Sequence, residues 1–441
     1  MTTQRTHDVV VIGGGSAGYA AARTAREAGA DVAIVDQGPL GGLCILRGCM
    51  PTKAILRSAE IAAVMRRAPE FGLSPVEVRA SLSAIVDRKN RLVREFAEYR
   101  IQQLRDPAFA LYEAPATFLS PYRLQVGSTC LAAKSFIIAT GSVPRDMAIP
   151  GLTEAGCVTS DSVLDRREQP ESLIVLGAGP VGLEFGQFFA RIGTQVTLVQ
   201  RASHVLSHLD ADVGVALGQA LAADGLCVMT DTQALRVQRD GNKMTVSVMH
   251  KGEEEVLAGD LVLNALGRVP NIAGLNLSAA QVTVDAGRVV VDDGMRTSQP
   301  HIFAVGDVTN LYDVVHIAIQ QGELAGWNAC HPGDPPRRFD DRLVAEVIFT
   351  EPQVAAVGLT EKACRARGLS SLTGTYPFAD HGKAMCLGNT QGFVKLMADR
   401  ANGAVLGAEI VGPESGELIH ELIAVMYYHG TVHDLLRIPH Y

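Results

Sequence analysis

Two cysteines in this chain are set apart by their surroundings. Cys44 and Cys49 lie in Gly41-Gly-Leu-Cys-Ile-Leu-Arg-Gly-Cys-Met-Pro-Thr-Lys53, whereas Cys130, Cys157, Cys227, Cys330, Cys364 and Cys386 are scattered singly. Single cysteines in a reducing compartment usually pack as small apolar side chains. A close pair can instead cycle between dithiol and disulfide, provided its Cβ atoms come within ~4 Å. Cysteines at this spacing do not share one face of a straight helix, so the turn between them must be distorted. Gly48 frees the backbone there and Pro51 fixes it. At a helix start, with Lys53 about one turn further on, a thiolate would be stabilised and its pKa lowered. By spacing alone the pair also suits an accident or half of a metal site. Zinc is disfavoured because no second Cys or His pair has suitable spacing, and no metal is expected.

The elements that must position this pair come from two segments with one grammar: a short apolar strand, a glycine turn and a small-residue helix. The first is Asp8-Val-Val-Val-Ile-Gly-Gly-Gly-Ser-Ala-Gly18, and the second is Ser172-Leu-Ile-Val-Leu-Gly-Ala-Gly-Pro-Val-Gly182. Each is followed by another strand, at residues 31–35 and 195–199. Two βαβ units imply two parallel-sheet nucleotide domains. Gly13, Gly15 and Gly18 let a backbone approach a diphosphate, whose charge the helix N-terminus stabilises. Asp36, at the end of the next strand, is placed to accept from ribose hydroxyls. Gly177, Gly179 and Gly182 repeat the fingerprint and imply a second dinucleotide. Its strand ends in Gln200-Arg201, without a carboxylate, and Arg201 fits either a 2′-phosphate or a solvated surface position.

Further strands ending in glycine turns are expected at Phe136–Gly141, Leu261–Gly267 and His301–Gly306. Gly333–Arg338 reads as a linker. Beyond it, strands at Ala345–Thr350 and Phe393–Met397 and a helix over Glu414–Tyr428 predict an α+β C-terminal domain. The fold class is α/β: two Rossmann-like dinucleotide-binding domains plus that C-terminal domain. At 441 residues the chain is too long for one core. Lys plus Arg total 39 against 47 Asp plus Glu, a formal charge of -8. Without a basic block, no nucleic-acid partner is expected. The apolar run Val9–Ile12 is too short for a membrane span or a signal-peptide core. No membrane association is expected, and the default location is cytoplasmic.

The cysteine segment resembles the redox-active motif of the class I pyridine nucleotide-disulfide oxidoreductases, G-G-x-C-x-x-x-G-C-x-P-x-K. That family includes dihydrolipoamide dehydrogenase, glutathione reductase and mercuric reductase. The resemblance runs through Ala139-Thr-Gly-Ser-x-Pro144, Ala265-Leu-Gly-Arg-x-Pro-Asn271, Ala304-Val-Gly-Asp307, Phe349-Thr-Glu-Pro352 and Val357-Gly-Leu-Thr-Glu361. It implies FAD and NAD(P)H as cofactors. For FAD it implicates Gly13, Gly15, Gly18, Asp36, Lys53, Thr140, Gly141 and Asp307; for NAD(P)H, Gly177, Gly179, Gly182, Gln200, Arg201 and Gly267. It implies catalysis by Cys44, Cys49, Lys53 and Glu184. Cys49 would face the flavin, Cys44 would exchange with a dithiol or disulfide, small or protein-bound, and Lys53 would pair with Glu184 beside the flavin. A buried lysine needs such a carboxylate; the alternative for Glu184 is an exposed helix position.

The resemblance also implies a homodimer and domain boundaries at 1–146 (FAD, first part), 147–271 (NAD(P)), 272–336 (FAD, second part) and 337–441 (dimerisation). Members carry a C-terminal His-Pro-Thr segment whose His serves the exchange thiol across the dimer. This sequence stops at Arg437-Ile-Pro-His-Tyr441, so the last domain is expected to be truncated there and His440 to precede the catalytic position. His420 and Glu421, being adjacent on a helix, should not face each other. The leading activity is dihydrolipoamide-dehydrogenase-like. The alternatives are reduction of a glutathione-type disulfide or Hg(II), or a flavin-binding dimeric scaffold.

Overall fold

The computed structural model describes residues 3–440, which form two compact units. One unit is drawn from residues 1–51, 90–145 and 268–339, the other from 52–89, 146–267 and 340–441.

In the first unit, β1 (Thr3–Ile12) leads through a glycine turn into α1 (Ser16–Glu27) and on to β2 (Val32–Val35). Val9–Ile12 and all of β2 are buried, as continuous apolar runs are when both faces of a parallel sheet are covered. The sheet runs in the order 110–112, β2, β1, 129–138, 123–126, 116–120, and 302–304 also pairs with 129–138. The helix Val315–Cys330 lies against α1. Added Cβ atoms on its Gly322 and Gly326 would come within 2.2 Å and 2.5 Å of the Ala17 and Ala21 carbonyl oxygens. Small residues on both helices therefore set this close approach. The unit also holds α2 (Leu43–Leu46), the start of α3 (Cys49–Arg66) and the C-terminal part of α4 (Leu82–Leu104).

The second unit repeats the theme with β3 (Ser172–Leu176), α5 (Pro180–Ile192) and β4 (Gln195–Val199). Its parallel sheet is ordered 227–229, β4, β3, 261–264, 158–159, and α6 (Ala211–Ala223) follows β4. An antiparallel three-stranded sheet occupies residues 232–259. The C-terminal part is an antiparallel sheet ordered 345–348, 353–358, 405–412, 393–399, 371–377, covered by α7 (Ser415–Tyr427). The fold is thus α/β with two Rossmann-like halves and a C-terminal α+β part.

In α7, Ile419, Leu422, Val425 and Met426 enter the core, while Leu418 is 44% exposed, because one residue along a helix turns the side chain by about 100°. One expectation needs correction. Of the single cysteines, Cys130 and Cys364 are buried but Cys227 and Cys386 are exposed. Among the described residues no helix is long and apolar enough to cross a membrane.

Candidate functional site

The turn between the cysteines is broken, as their spacing requires. α2 ends at Leu46, Arg47 leaves the helical region (φ −142°, ψ 7°), and α3 opens at Cys49 with Pro51 in its first turn. Both cysteines are half-buried. A Cβ on Gly48 would sit 3.1 Å from the Cys44 Cα, so any larger residue would push the turn apart. Upstream, Gly42 adopts φ +78°, and a Cβ there would meet the Gly15 Cα at 2.5 Å. The cysteine segment is therefore pressed onto the first glycine loop.

That loop is tight: Gly13 has φ +107°, and a Cβ on Gly18 would lie 1.8 Å from the Gly13 carbonyl oxygen. Asp36 accepts from the backbone N–H groups of Gly14 and Gly38, both at 2.7 Å. Its carboxylate thus braces the loop and keeps lone pairs for a further donor. Asp307 accepts from the Ser142 hydroxyl at 2.7 Å, and Arg268 holds the same hydroxyl (2.8 Å) and the Ser142 carbonyl (2.8 Å). Ser142 and Arg268 were not singled out by sequence reasoning, although both lie inside the family motifs. The Thr140 hydroxyl is buried and has no hydrogen-bond partner among the described residues. An orphaned hydroxyl beside glycine-lined backbone suits a polar ligand such as FAD.

In the second unit, Lys53 donates to both Glu184 oxygens at 3.0 Å and 2.9 Å. Its ammonium stands 4.6 Å from the centre of the Phe349 ring, and the Phe349 N–H donates to the same carboxylate at 3.0 Å. The Glu184 side chain is 5% exposed, so it is an interior ion-pair partner rather than an exposed helix residue. Phe349 is the addition here; its signal was the segment Phe349-Thr-Glu-Pro352. A Cβ on Gly182 would meet the Gly177 oxygen at 1.9 Å, while Gly179 at the α5 N-cap and Gly267 (φ +107°) have open space around them. Gln200 accepts from the Ala178 N–H at 3.4 Å and donates to the His204 carbonyl at 3.3 Å. Arg201 is exposed. Near the C-terminus, His440 pairs with Glu421 at 3.1 Å, and the exposed His420 contacts the Glu417 carbonyl at 3.3 Å.

Together the two glycine loops and the cysteine turn define a flavoprotein disulfide reductase fold. The chain belongs to the pyridine nucleotide-disulphide oxidoreductase family, matched over residues 7–322, with that family's dimerisation domain over 344–441. Family members use FAD and NAD(P)H. Similar proteins include the mercuric reductase of Staphylococcus aureus, 34% identical over 97% of this chain and 78% of that one. The dihydrolipoyl dehydrogenase of Thermus scotoductus is also 34% identical, over 98% and 93%. Among solved structures, the Cu(II) complex of the HOCl-induced flavoprotein disulfide reductase RclA from Escherichia coli superposes with a TM-score of 0.87 at 28% identity, covering 99% of this chain and 96% of that one.

Proposed function

We propose that this chain carries two electrons between a nicotinamide nucleotide, FAD and the Cys44–Cys49 couple, and exchanges them with a dithiol of the dihydrolipoyl type. The observation that supports this most is the cysteine turn, broken at Arg47-Gly48 and pressed through Gly42 onto the Gly15 loop. Bound FAD supplies the link between hydride and thiol chemistry. Gly13, Gly15, Gly18, Asp36, Thr140, Gly141 and Asp307 hold it; Gly177, Gly179, Gly182, Gln200, Arg201 and Gly267 hold the nicotinamide nucleotide. Lys53, fixed by Glu184, keeps a positive charge one turn beyond Cys49. In dithiol oxidation, a substrate thiolate attacks Cys44 Sγ and the Cys44–Cys49 bond breaks, leaving Cys49 as thiolate. The second substrate sulfur then displaces Cys44, and the substrate departs as a disulfide. We further infer a cytoplasmic homodimer, divided at the boundaries given above.

A second reading, reduction of Hg(II), is favoured by the similarity to mercuric reductases. Turnover of the purified yellow protein with dihydrolipoamide plus NAD⁺ or NADP⁺, and with glutathione disulfide or Hg(II) plus NAD(P)H, ranks the acceptors. The Cys44→Ser variant should show a long-wavelength absorption band that Cys49→Ser lacks. Identical spectra would refute the assigned roles, and protein that stays colourless after incubation with FAD would end the reading.

A further inference from the structure

Two buried side-chain amides on the Val315–Cys330 helix hold loop backbone in the first unit, and they do so differently. Asn328, 1% exposed, donates to the Gly294 and Arg337 carbonyls at 3.0 Å each and accepts from the Arg337 N–H at 2.9 Å. Gln321, 0% exposed, accepts from the Gly306 N–H at 2.8 Å. Because that partner is a donor, the amide oxygen must face Gly306. The Gln321 Nε2 is then buried with no hydrogen-bond partner among the described residues. Shielded in this way, the Nε2 cannot meet a cofactor or substrate, so Gln321 acts through the Gly306 backbone.

Gly306 immediately precedes Asp307, and its turn is tightly specified. Its φ is +70°, and a Cβ there would lie 3.3 Å from the Ala318 Cβ and 3.5 Å from the Ala17 Cβ. Before it, the Val305 N–H donates to the Ile138 carbonyl at 2.9 Å; after it, the Thr309 hydroxyl donates to the Gly306 carbonyl at 2.8 Å. The Gly306 N–H completes the set, and a buried backbone donor requires a partner. Gln321, about one helical turn beyond Ala318, supplies it. Asp307 leaves this turn with its carboxylate held by the Ser142 hydroxyl at 2.7 Å. One peptide bond joins Gly306 to Asp307, so a shift in the turn moves that carboxylate directly.

We propose that Gln321 is a positioning residue for flavin binding: its amide oxygen locks the Gly306 turn and thereby sets where the Asp307 carboxylate accepts from an FAD hydroxyl. This rests on the assignment of Asp307 to FAD given above. Asn328, on the same helix but bonded to other loops, provides the contrast: its role is confined to the fold.

The experiment dilutes purified yellow holoenzyme and separates released FAD by ultrafiltration at timed intervals, which gives a release rate; thermal unfolding is followed on the same samples. Gln321→Met keeps the length of the side chain without its acceptor and should speed release about tenfold, the effect of one lost hydrogen bond. Gln321→Glu keeps an acceptor and should stay within about twofold of wild type. In an Asp307→Asn background, itself faster than wild type, Gln321→Met should add less than about twofold, since residues acting through one another are not additive. Asn328→Leu should lower the unfolding temperature without speeding release. Thr309→Val loosens the same turn from its carbonyl side and should match Gln321→Met, so it carries the test if that variant does not fold. Release unchanged in Gln321→Met, or speeded by the same factor in both backgrounds, would overturn the inference. So would Asn328→Leu releasing FAD as fast as Gln321→Met. If Asp307→Asn holds FAD as firmly as wild type, the earlier assignment of Asp307 fails, and the role of Gln321 goes with it.

Discussion

A Cβ on Gly18 would lie 1.8 Å from the Gly13 oxygen, and one on Gly182 would lie 1.9 Å from the Gly177 oxygen. Gly13 and Gly177 take φ +107° and +100°, and their own Cβ atoms would strike the Ala139 and Ala265 oxygens at 2.3 Å and 2.5 Å. The backbones of the two loops are near copies. What differs is the residue closing the following strand. In the first loop the charged Asp36 accepts from Gly14 at 2.7 Å; in the second the neutral Gln200 accepts from Ala178 at 3.4 Å. The comparison teaches that glycines give the two turns one backbone shape, while one side chain makes the two loops chemically different. The backing differs too. α1 rests on small residues of the Val315–Cys330 helix. The segment after β4 instead ends at Asp210, in a charged cluster around Lys395, which is 2% exposed and lies 2.8 Å from Asp210, 3.0 Å from Asp212 and 3.4 Å from Glu409.

Substituting the third glycine on each side separates the loops most sharply. Gly18→Val should purify without flavin. Gly182→Val should stay yellow yet lose at least about 100-fold in nucleotide affinity, roughly 2.8 kcal/mol. Absorbance spectra and stopped-flow titration with NADH and NADPH read both; a colourless Gly182→Val protein would break the division of labour.

The next effect falls on the second unit alone. Glu184→Ala strips the partner from Lys53 and from the Phe349 N–H and should destabilise by about 1–3 kcal/mol. It should also slow flavin reduction while leaving flavin content intact. Glu184→Gln keeps an acceptor and should lose less stability. Denaturant midpoints and reduction rates check this pair.

Nucleotide preference tests the strand-end residue directly. Gln200→Glu should shift the NADH-to-NADPH ratio of kcat/KM toward NADH by about tenfold, or 1.4 kcal/mol. Arg201→Gln should lower NADPH use specifically. Steady-state kinetics with both nucleotides would refute the role of Gln200 if its ratio stays put.

The smallest expected effect comes from the charged backing. Burial and the contact with Asp210 push Glu409 up to about 7. Burial also raises Asp210, but hydrogen bonds from Lys395, Glu409 and the Lys362 and Glu361 amides outweigh it and hold its carboxyl below the usual range. A raised carboxyl stabilises the fold at low pH, and this is lost as pH climbs through about 7. Asp210 contributes the opposite way: its stabilisation is present above the ordinary carboxylate range and fades only in strong acid. Wild type should therefore lose stability between about pH 4.5 and 7, by at most about 1.4 kcal/mol per pH unit, and Glu409→Gln should flatten that slope. Thermal unfolding across this range measures it; an unchanged slope would remove Glu409 as its source.

Sequence alone determined the parts whose demands are local. Positive φ, close backbone approach and a broken helical turn leave their mark in residue type and spacing, so both glycine fingerprints, Asp36 and the Cys44–Cys49 turn were legible, as were the apolar strands at 9–12, 172–176 and 261–264. The Lys53–Glu184 pair, 131 residues apart, was reached only through a family resemblance. Tertiary structure alone decided that the Phe349 amide shares that carboxylate, and that Ser142 bridges Arg268 and Asp307. It also decided that Gln200 braces its own loop, that His440 meets Glu421, and that Cys227 and Cys386 face solvent. Each of these depends on which distant segments pack together. A side chain's type limits what it can bond to, but only the packed chain chooses the partner.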